Sequence, residues 1–472
     1  MVSENRDQLA EALYKDLRRP AYEAHITEIL PAEYEGGYML QQMDTWLKPV
    51  SADTYHQPQH MLGDVKIHKA PLGVALMISA WNYPIRLPLM PLVGAIAAGN
   101  VVVLKPSEIS VHSSRLLTEL IEKYLDSRVV RVVNGGVEET TVLLKQKVDH
   151  MMYTGNGTVG RIIAKAAAEQ LCKVSLELGG KSPALISGSV NQDHLSRVAS
   201  RIVWGKYLNC GQTCIAVDYV MVENKAYERF LLSILEAVFA FYGKDSKKSP
   251  DYARIISERQ FDRLKKLVEN TKGNILTGKT DEWDRSTLFI PPVVVDDVGF
   301  DDSLMSEELF GPILPIIKVD SVDEGIKYIQ KHDHPLSLYF FGDEKDASKV
   351  IANTRSGSCV INDVLMQGSV HGAPFGGVGP SGVGGYSGKA SIDEFTHSRT
   401  VIKAKTDFPS ESLESVRNPP YTGPGTEWKL PAIVGFIYPT FPAACDSVGG
   451  RVGWFEFSII LSDIKVCTSH SK

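Results

Sequence analysis

The sequence lacks an excess of positive charge. Its 472 residues include 50 lysines and arginines against 56 aspartates and glutamates, a net charge of −6. Because basic side chains dominate binding to nucleic-acid phosphates, this balance offers no footprint for a nucleic-acid partner. The content of 43% apolar and 22% charged residues is instead typical of a soluble globular protein, and the length predicts two domains or more.

Cysteine is scarce, and the N-terminus has no secretory character. The six cysteines are scattered at positions 172, 210, 214, 359, 445 and 467, which argues against a disulfide framework and fits a reducing compartment. The segment MVSENRDQLAEALYKDL is charged throughout and lacks the apolar core of a signal peptide. We therefore expect a cytoplasmic protein, and we expect no metal site.

The tail after about residue 406 contains no hydrophobic run long enough to span a bilayer. Leu430–Cys445 has sixteen uncharged residues, fewer than the roughly twenty that a spanning helix needs. Pro431, Pro439 and Pro442 further disfavour a helix in this proline- and aromatic-rich segment. Peripheral or tail-anchored membrane association is therefore the less favoured alternative.

Apolar segments alternate with amphipathic ones along most of the chain. After a helical region at 4–47, apolar runs at 74–80, 101–105, 129–133 and 150–154 are separated by segments of helical periodicity, and a second such series begins after 180. Unalternated apolar strands between helices predict an α/β fold in which helices cover both faces of a parallel sheet. Ligands of such sheets bind at the carboxyl ends of the strands.

The segment TGNGTVG, at 154–160, has the glycine spacing of a phosphate-binding turn. Gly155, Gly157 and Gly160 lie between an apolar strand and a helix predicted at 159–171, where backbone amides can face a pyrophosphate. Glu177 follows Gly157 by twenty residues, the distance at which an acid binds the ribose in an ordinary dinucleotide fold. The spacing alone leaves open whether Glu177 binds a ribose or has another role.

Two further segments contain residues that suit covalent chemistry. Cys214, in NCGQTC, follows small and polar residues that are unlike a core segment, so it is a candidate nucleophile, more so than Cys210. A buried, unreactive thiol is the alternative. Asn82, in SAWNYP, comes directly after an apolar strand, where its amide could donate to a developing oxyanion or only stabilise its own turn.

Charged and glycine-rich segments follow other strands. Lys105 and Glu108 end the run VVVLKPSE, where a nucleotide ribose would lie, and Glu307 and Glu308 precede Phe310 in SEELFGP. Taken alone, each of these charged groups is more often a solvated surface group. The stretch 372–389 is dense in glycine and is predicted to be a loop that approaches another group closely.

Together these segments resemble the aldehyde dehydrogenase superfamily, and most closely its class 3 or fatty-aldehyde branch of fungal type. Seven motifs occur in the family's order over residues 8–405: WNYP (81–84), VVVLKPSE (101–108), TGNGTVG (154–160), LELGGKSP (176–183), GQTC (211–214), EELFGP (307–312) and PFGGVGPSG (374–382).

The resemblance implies an NAD(P)-dependent oxidation of a hydrophobic aldehyde to its acid, through a thiohemiacetal and a thioester. By the same resemblance, the catalytic residues are Cys214 as nucleophile, Asn82 as oxyanion donor and Glu177 as the base that activates water for deacylation. The implied cofactor residues are Lys105 and Glu108 at the adenosine ribose, Gly155 and Gly160 at the pyrophosphate, Glu308 at the nicotinamide ribose and Phe310 near the nicotinamide. Tyr83 resembles a position in the substrate tunnel.

The resemblance also implies a domain organisation. It predicts a Rossmann-like cofactor domain at 1–178, an α/β catalytic domain at 179–389, a bridging segment at 390–406 that mediates a homodimer, and a tail at 407–472. NAD is the favoured cofactor, with NADP as an alternative. The alternatives for function are a CoA-acylating aldehyde dehydrogenase and a catalytically silent binding relative.

The chain departs from the family's pattern in three places. Gly157 occupies a position where the family usually has serine or threonine, and we expect looser pyrophosphate contacts there. The chain is also expected to begin inside the family's N-terminal helical region. Its tail does not resemble the hydrophobic anchor of fatty-aldehyde members.

Overall fold

The computed structural model describes residues 1–52, 64–405, 418–427 and 429. The chain divides into two compact units, Met1–Lys48 with His68–Arg399 and Pro49–Ile67 with Thr400–Lys472. The candidate anchor Leu430–Cys445 lies outside the described residues. Within those residues, no helix combines the length and apolar character needed to cross a membrane.

Helices and strands alternate, as the sequence predicts. The α-helices are α1 (Arg6–Leu17), α2 (Ala21–Ala24), α3 (Leu30–Trp46), α4 (Arg86–Ala97), α5 (Val111–Tyr124), α6 (Val137–Leu144), α7 (Gly157–Gln170), α8 (Leu195–Tyr207), α9 (Asn224–Tyr242), α10 (Glu258–Glu269), α11 (Val322–Gln330), α12 (Glu344–Asn353) and α13 (Lys389–Glu394). A π turn, His25–Ile29, joins α2 to α3. Short 3₁₀ turns lie at Gln192–His194, Leu208–Gly211, Ser246–Lys248, Thr280–Glu282, Arg285–Thr287, Ser303–Met305 and Met366–Ser369.

The strands form three sheets. They are β1 (Val50–Ser51), β2 (Asp64–Pro71), β3 (Val74–Ile78), β4 (Val101–Lys105), β5 (Val130–Val132), β6 (His150–Thr154), β7 (Lys173–Glu177), β8 (Pro183–Ile186), β9 (Tyr219–Glu223), β10 (Asn274–Thr277), β11 (Val293–Asp296), β12 (Ile313–Val319), β13 (Ser337–Phe341), β14 (Ser358–Ile361), β15 (Gly382–Val383) and β16 (Thr396–Lys403). The sheet orders are β15-β7-β6-β3-β4-β5, β10-β11-β12-β9-β8-β13-β14 and β1-β2-β16.

The six-stranded sheet is parallel except for β15, which pairs antiparallel with β7. Its central strands β3 and β4 are apolar runs without alternation because both faces are covered. Ala75 and Met77 pack into one hydrophobic cluster with α4 and α5, whereas Leu76 and Ile78 pack into another with α7. The predicted parallel sheet covered by helices is therefore confirmed.

The seven-stranded sheet is parallel except for its edge strand β10. Strands β8, β9 and β13 are almost wholly buried, and α8 and α9 pack on them within the same hydrophobic cluster. Two α/β sheets therefore follow one another along the chain, with the change from the first to the second near residue 180.

Two local predictions need correction. Helix α7 ends at Gln170, and Leu171 adopts a left-handed conformation at its C-cap with 94% exposure, so it is not part of a buried face. The glycine-dense stretch 372–389 is not only a loop, because it contains β15. Gly382 has φ of 151°, and a Cβ atom there would lie 2.3 Å from the backbone oxygen of Leu176, so a side chain at this position would block the strand pairing.

Candidate active site

A cavity of about 690 Å³ lies at the carboxyl edge of the six-stranded sheet. The loops after β3, β4, β6 and β7 form one side, and a loop after β11 and the segment after α8 form the other. Eight of the predicted site residues line it: Asn82, Lys105, Glu108, Gly155, Glu177, Cys214, Glu308 and Phe310. Gly160 and Tyr83 are not among the lining residues.

Cys214 and Glu177 are in contact inside this cavity. The Cys214 Sγ lies 3.9 Å from Glu177 Oε1. Glu177 belongs to the six-stranded sheet, whereas Cys214 lies in the segment between α8 and β9 of the second sheet. Glu177 is the last residue of β7 and is buried, so its carboxylate is fixed at the strand end. The geometry therefore places this acid beside the thiol.

Glu177 is held by two hydroxyl groups. Tyr386 Oη donates a 2.6 Å hydrogen bond to Glu177 Oε2, and Thr154 Oγ1 donates to the same oxygen at 3.3 Å. Burial raises the pKa of Glu177 above its usual range, while these hydrogen bonds act in the opposite direction. A carboxylate with a raised pKa is suited to accept a proton near neutral pH.

The two cysteines of NCGQTC have different environments. Cys210 is fully buried and contacts Tyr252 Oη at 3.7 Å, and burial raises its pKa to about 12. Cys214 reaches the cavity, and burial together with the charges of Glu177 and Glu308 raises its pKa well above the usual range. The raised pKa favours the protonated thiol, so nucleophilic attack requires a group that takes its proton.

A strained turn precedes Cys214. Asn209, Cys210 and Gly211 adopt φ of 51°, 53° and 74°, the left-handed region that costs a non-glycine residue roughly 1–2 kcal/mol. A Cβ atom at Gly211 would lie 2.2 Å from the Gly311 oxygen, so only glycine fits. The surrounding contacts must hold this turn, as strained segments at functional sites require.

Asn82 joins the loop after β3 to this turn. Its side-chain Nδ2 donates to the Gln212 backbone oxygen at 3.1 Å, and the residue is only 3% exposed. Asn209 Nδ2 donates to the backbone oxygens of both Asn82 and Gln212, at 3.0 and 3.1 Å. The amide of Asn82 thus lies next to the segment that carries the thiol.

Tyr83 is placed behind this segment. Its hydroxyl forms a 2.7 Å hydrogen bond with Thr213 Oγ1, and the side chain is 6% exposed. The hydroxyl therefore supports the residue that precedes Cys214.

A sequence profile described as the aldehyde dehydrogenase family matches residues 1–401. The chain belongs to the aldehyde dehydrogenase family. It is 43% identical over 431 residues to aldehyde dehydrogenase family 3 member A2 of Pongo abelii, covering 91% of this chain and 86% of that protein. It is 41% identical over 426 residues to the rat protein named aldehyde dehydrogenase, dimeric NADP-preferring, covering 89% and 90%.

A solved structure described as the substrate-bound state of Staphylococcus aureus AldH has the same fold. It superposes with a TM-score of 0.86 at 37% identity, over 92% of each chain. The protein is therefore an NAD(P)-dependent aldehyde dehydrogenase, and its α/β architecture is that of the family.

The turn before α7 in this aldehyde dehydrogenase has the local geometry that a phosphate-binding turn requires. Asn156 Oδ1 caps α7 by accepting from Val159 N at 3.0 Å. A Cβ at Gly155 would lie 2.2 Å from Tyr153 Oη, and one at Gly160 would lie 2.8 Å from a Leu178 methyl. These glycines are needed for close packing, and the backbone amides at the start of α7 are available to phosphate oxygens.

Gly157 differs from the other two glycines. A Cβ there would meet only the tip of Arg161, at 3.2 Å, and that flexible side chain can move. Gly157 is therefore the one glycine of the three in TGNGTVG that the packing of this aldehyde dehydrogenase does not require.

Two of the acidic residues that line the cavity are Glu108 and Glu308. Glu108 Oε2 pairs with Lys105 Nζ at 2.5 Å, just beyond the end of β4. Burial and the charge of Asp218 raise the pKa of Glu308 to about 8. Glu307 instead points to Arg263, 2.8 Å away, so the two adjacent glutamates have distinct environments.

Two side chains at the site were given no role by the motifs, Trp81, which lies within WNYP, and Tyr386. Phe310 has φ of 49° and packs edge-on against Trp81 at 5.4 Å, which places a second aromatic ring at the cavity. Tyr386 contacts Glu177 from 209 residues away, and no local pattern identifies it. Among the residues that the structure describes, no cluster of three or more potential metal ligands occurs.

Proposed function

We propose that this protein oxidises a hydrophobic aldehyde through a covalent intermediate on Cys214. The observation that carries the proposal is the 3.9 Å contact between Cys214 Sγ and Glu177 Oε1 in a cavity also lined by Asn82. A thiol, a carboxylate with a raised pKa and an amide donor are the groups that nucleophilic acyl chemistry requires.

The first step forms a thiohemiacetal. The Cys214 thiol gives its proton to water, its sulfur bonds to the carbonyl carbon, and the electron pair of the carbonyl π bond moves to the oxygen, which takes the negative charge. The Asn82 amide and the Cys214 backbone N–H stabilise that oxygen. A nicotinamide cofactor held in this cavity would supply the hydride acceptor that the oxidation requires.

The second step is hydrolysis of the thioester left on Cys214. Glu177 takes a proton from water, the oxygen attacks the acyl carbon, and the carbon–sulfur bond breaks to release the acid and the thiolate, which recovers the proton from Glu177 to give the thiol. This role fits Glu177 better than ribose binding, because its carboxylate faces the thiol while Lys105 and Glu108 lie beyond another strand.

The dinucleotide would be held along the same cavity. Lys105 and Glu108 suit the adenosine ribose, Glu308 suits the nicotinamide ribose, and Phe310 provides an apolar wall near the ring. The exposed side chains of Val137 and Ile162 also line the cavity and offer a surface for the purine. We favour NAD and retain NADP, which a relative's name gives as its preference.

The two successive sheets support a two-domain organisation, although β15 of the second segment joins the first sheet. We propose that residues 1–178 bind the cofactor and that 179–389 present the nucleophile. The segment 390–406 would bridge two copies in a homodimer. Support for the dimer comes from the dimeric relative.

The decisive experiment uses decanal, other aldehydes and either NAD or NADP, with reduced cofactor measured between pH 7 and 9. Turnover supports the proposal, whereas failure with the whole panel refutes it and favours a silent binding relative. Adding CoA distinguishes the acylating alternative, in which acyl-CoA replaces the free acid. A panel of chain lengths then tests whether the substrate is long-chain, aromatic or apocarotenoid in type.

The role of Glu177 is tested separately. Glu177→Gln should leave a rapid burst of NADH followed by slow turnover, because only deacylation loses its base. If the substitution instead only raises the KM for NAD, Glu177 is a cofactor ligand. Glu119→Gln, at an exposed acid of α5 that does not line the cavity, is the control and should show neither effect.

A further inference from the structure

A fully buried arginine lies behind the two segments that carry Asn82 and Cys214. Arg19 has no exposed side-chain surface, and its Nη2 donates a 2.5 Å hydrogen bond to the backbone oxygen of Asn82. Nε donates to Asn209 Oδ1 at 3.2 Å, and the guanidinium carbon lies 4.6 Å from the centre of the Tyr83 ring. One side chain therefore contacts both the oxyanion loop and the turn before the nucleophile.

Arg19 is paired with two carboxylates from one continuous helix. Its Nη1 bonds Glu28 Oε1, and its Nε lies 3.5 Å from Glu23 Oε1. Five residues of α-helix rotate through about 500°, which would turn these carboxylates away from each other. In the π turn His25–Ile29, the Leu30 N–H donates to the His25 oxygen. This wider turn brings residues that are five apart, such as Glu23 and Glu28, closer to the same face of the helix. The irregular helix therefore allows both acids to face Arg19.

The two acids extend the cluster to the backbone of both segments. Glu28 Oε2 accepts hydrogen bonds from the amides of Ile85 and Arg86, at 2.7 and 3.1 Å, where α4 begins directly after the oxyanion loop. Glu23 Oε1 accepts from the amide of Asn209 at 2.9 Å, in the left-handed turn. The cluster of Arg19, Glu23 and Glu28 thus connects two active-site segments that are over one hundred residues apart.

We propose that Arg19 is a positioning residue for the first chemical step, which fixes the Asn82 amide relative to the nucleophile so that the substrate oxygen meets its donors during attack. This inference rests on the proposed function. A guanidinium has planar donors that point in several directions, whereas a lysine amine cannot make the same set of contacts. A shift of about 1 Å in a reacting geometry can lower a rate by about 100-fold.

The test measures the rate constant of the NADH burst in Arg19→Lys and Arg19→Gln. We expect it to fall by about 10- to 100-fold, with a smaller deuterium isotope effect from a 1-deuterated aldehyde, because a slower attack on the carbonyl masks the hydride transfer that follows it. Alkylation of Cys214 by iodoacetamide should change by less than about threefold, because that reaction forms no oxyanion. The KM for NAD should also stay close to the wild-type value, since Arg19 does not line the cavity.

Arg6→Lys is the matched control. Arg6 is the first residue of α1, the helix that ends two residues before Arg19. It pairs with Glu33 at 2.7 Å, but its side chain is 42% exposed. The rate constant of its NADH burst should equal that of the wild type. The burst amplitudes are normalised to the amount of Cys214 that iodoacetamide alkylates.

A normal burst in Arg19→Lys would overturn the inference, even if its thermal midpoint falls. If Arg19→Gln does not fold, Arg19→Lys decides. Absence of any NADH formation by the wild type would instead contradict the proposed function.

Discussion

Replacing Tyr386 by phenylalanine should move the pH dependence of deacylation upward. The Tyr386 hydroxyl donates a 2.6 Å hydrogen bond to Glu177 Oε2, and both residues are less than 5% exposed. This bond favours the carboxylate form and opposes the effect of burial on the pKa of Glu177. Its loss should therefore raise that pKa further and leave less carboxylate at any given pH below the new value.

The size of the shift follows from the strength of the lost interaction. A hydrogen bond to a charged group contributes about 1.5–3 kcal/mol, and one pKa unit corresponds to about 1.4 kcal/mol. We therefore expect the acidic limb of the deacylation rate to move up by about one to two pH units. At high pH, where Glu177 is ionised in both proteins, the rates should converge.

The assay follows the acyl-enzyme directly. The half-life of the adduct on Cys214 is measured by intact-protein mass spectrometry between pH 6 and 10. Tyr207→Phe is the control, because it removes another buried hydroxyl that donates to the Val293 oxygen at 3.0 Å. A limb that does not move in Tyr386→Phe, or that moves to lower pH, would refute the reasoning.

Three further predictions test other parts of the site. Cys214→Ala should abolish aldehyde oxidation measured by NADH formation, whereas Cys210→Ala should retain it; equal losses would contradict the assignment of the nucleophile. Gly155→Ala should raise the KM for NAD, because its Cβ would lie 2.2 Å from the Tyr153 hydroxyl. Gly157→Ser should change the free energy of unfolding by less than about 0.5 kcal/mol. Similar effects of the two substitutions in thermal melts and kinetics would contradict the packing argument. Lys105→Ala should lower kcat/KM for NADP about 10- to 100-fold more than for NAD, because its amine would meet the 2′-phosphate; equal losses would place that phosphate elsewhere.

The strands and most helices could be predicted because their information is local. Apolar runs such as 74–80 and 150–154 became buried parallel strands, since both faces of the sheet are covered. The motifs also lie at strand ends, where the parallel topology brings them to one edge. That is why Asn82, Lys105 and Glu177 could be expected near one cavity.

The remaining features depend on contacts between distant parts of the chain. Gly382 pairs with Glu177 across two strands, and the Tyr386 hydroxyl binds the Glu177 carboxylate. The sequence around Gly382 and Tyr386 contains no pattern that predicts these contacts. The buried Arg19 lies in a segment that reads as an exposed helix end, RRP, and its burial depends on loops far along the sequence. A helical pattern likewise cannot show that Ile162 lines a ligand cavity instead of a core.

The late position of β15 has a consequence for synthesis of the protein on the ribosome. The edge of β7 that carries Glu177 is completed by Gly382, and its hydroxyl partner Tyr386 comes 209 residues later. At about 5–20 residues per second, the nascent chain would spend roughly 10–40 seconds with this edge unpaired. An unpaired strand edge is a site of aggregation. Chaperone demand should therefore be concentrated in this interval, and nascent chains stalled before β15 should be catalytically inert.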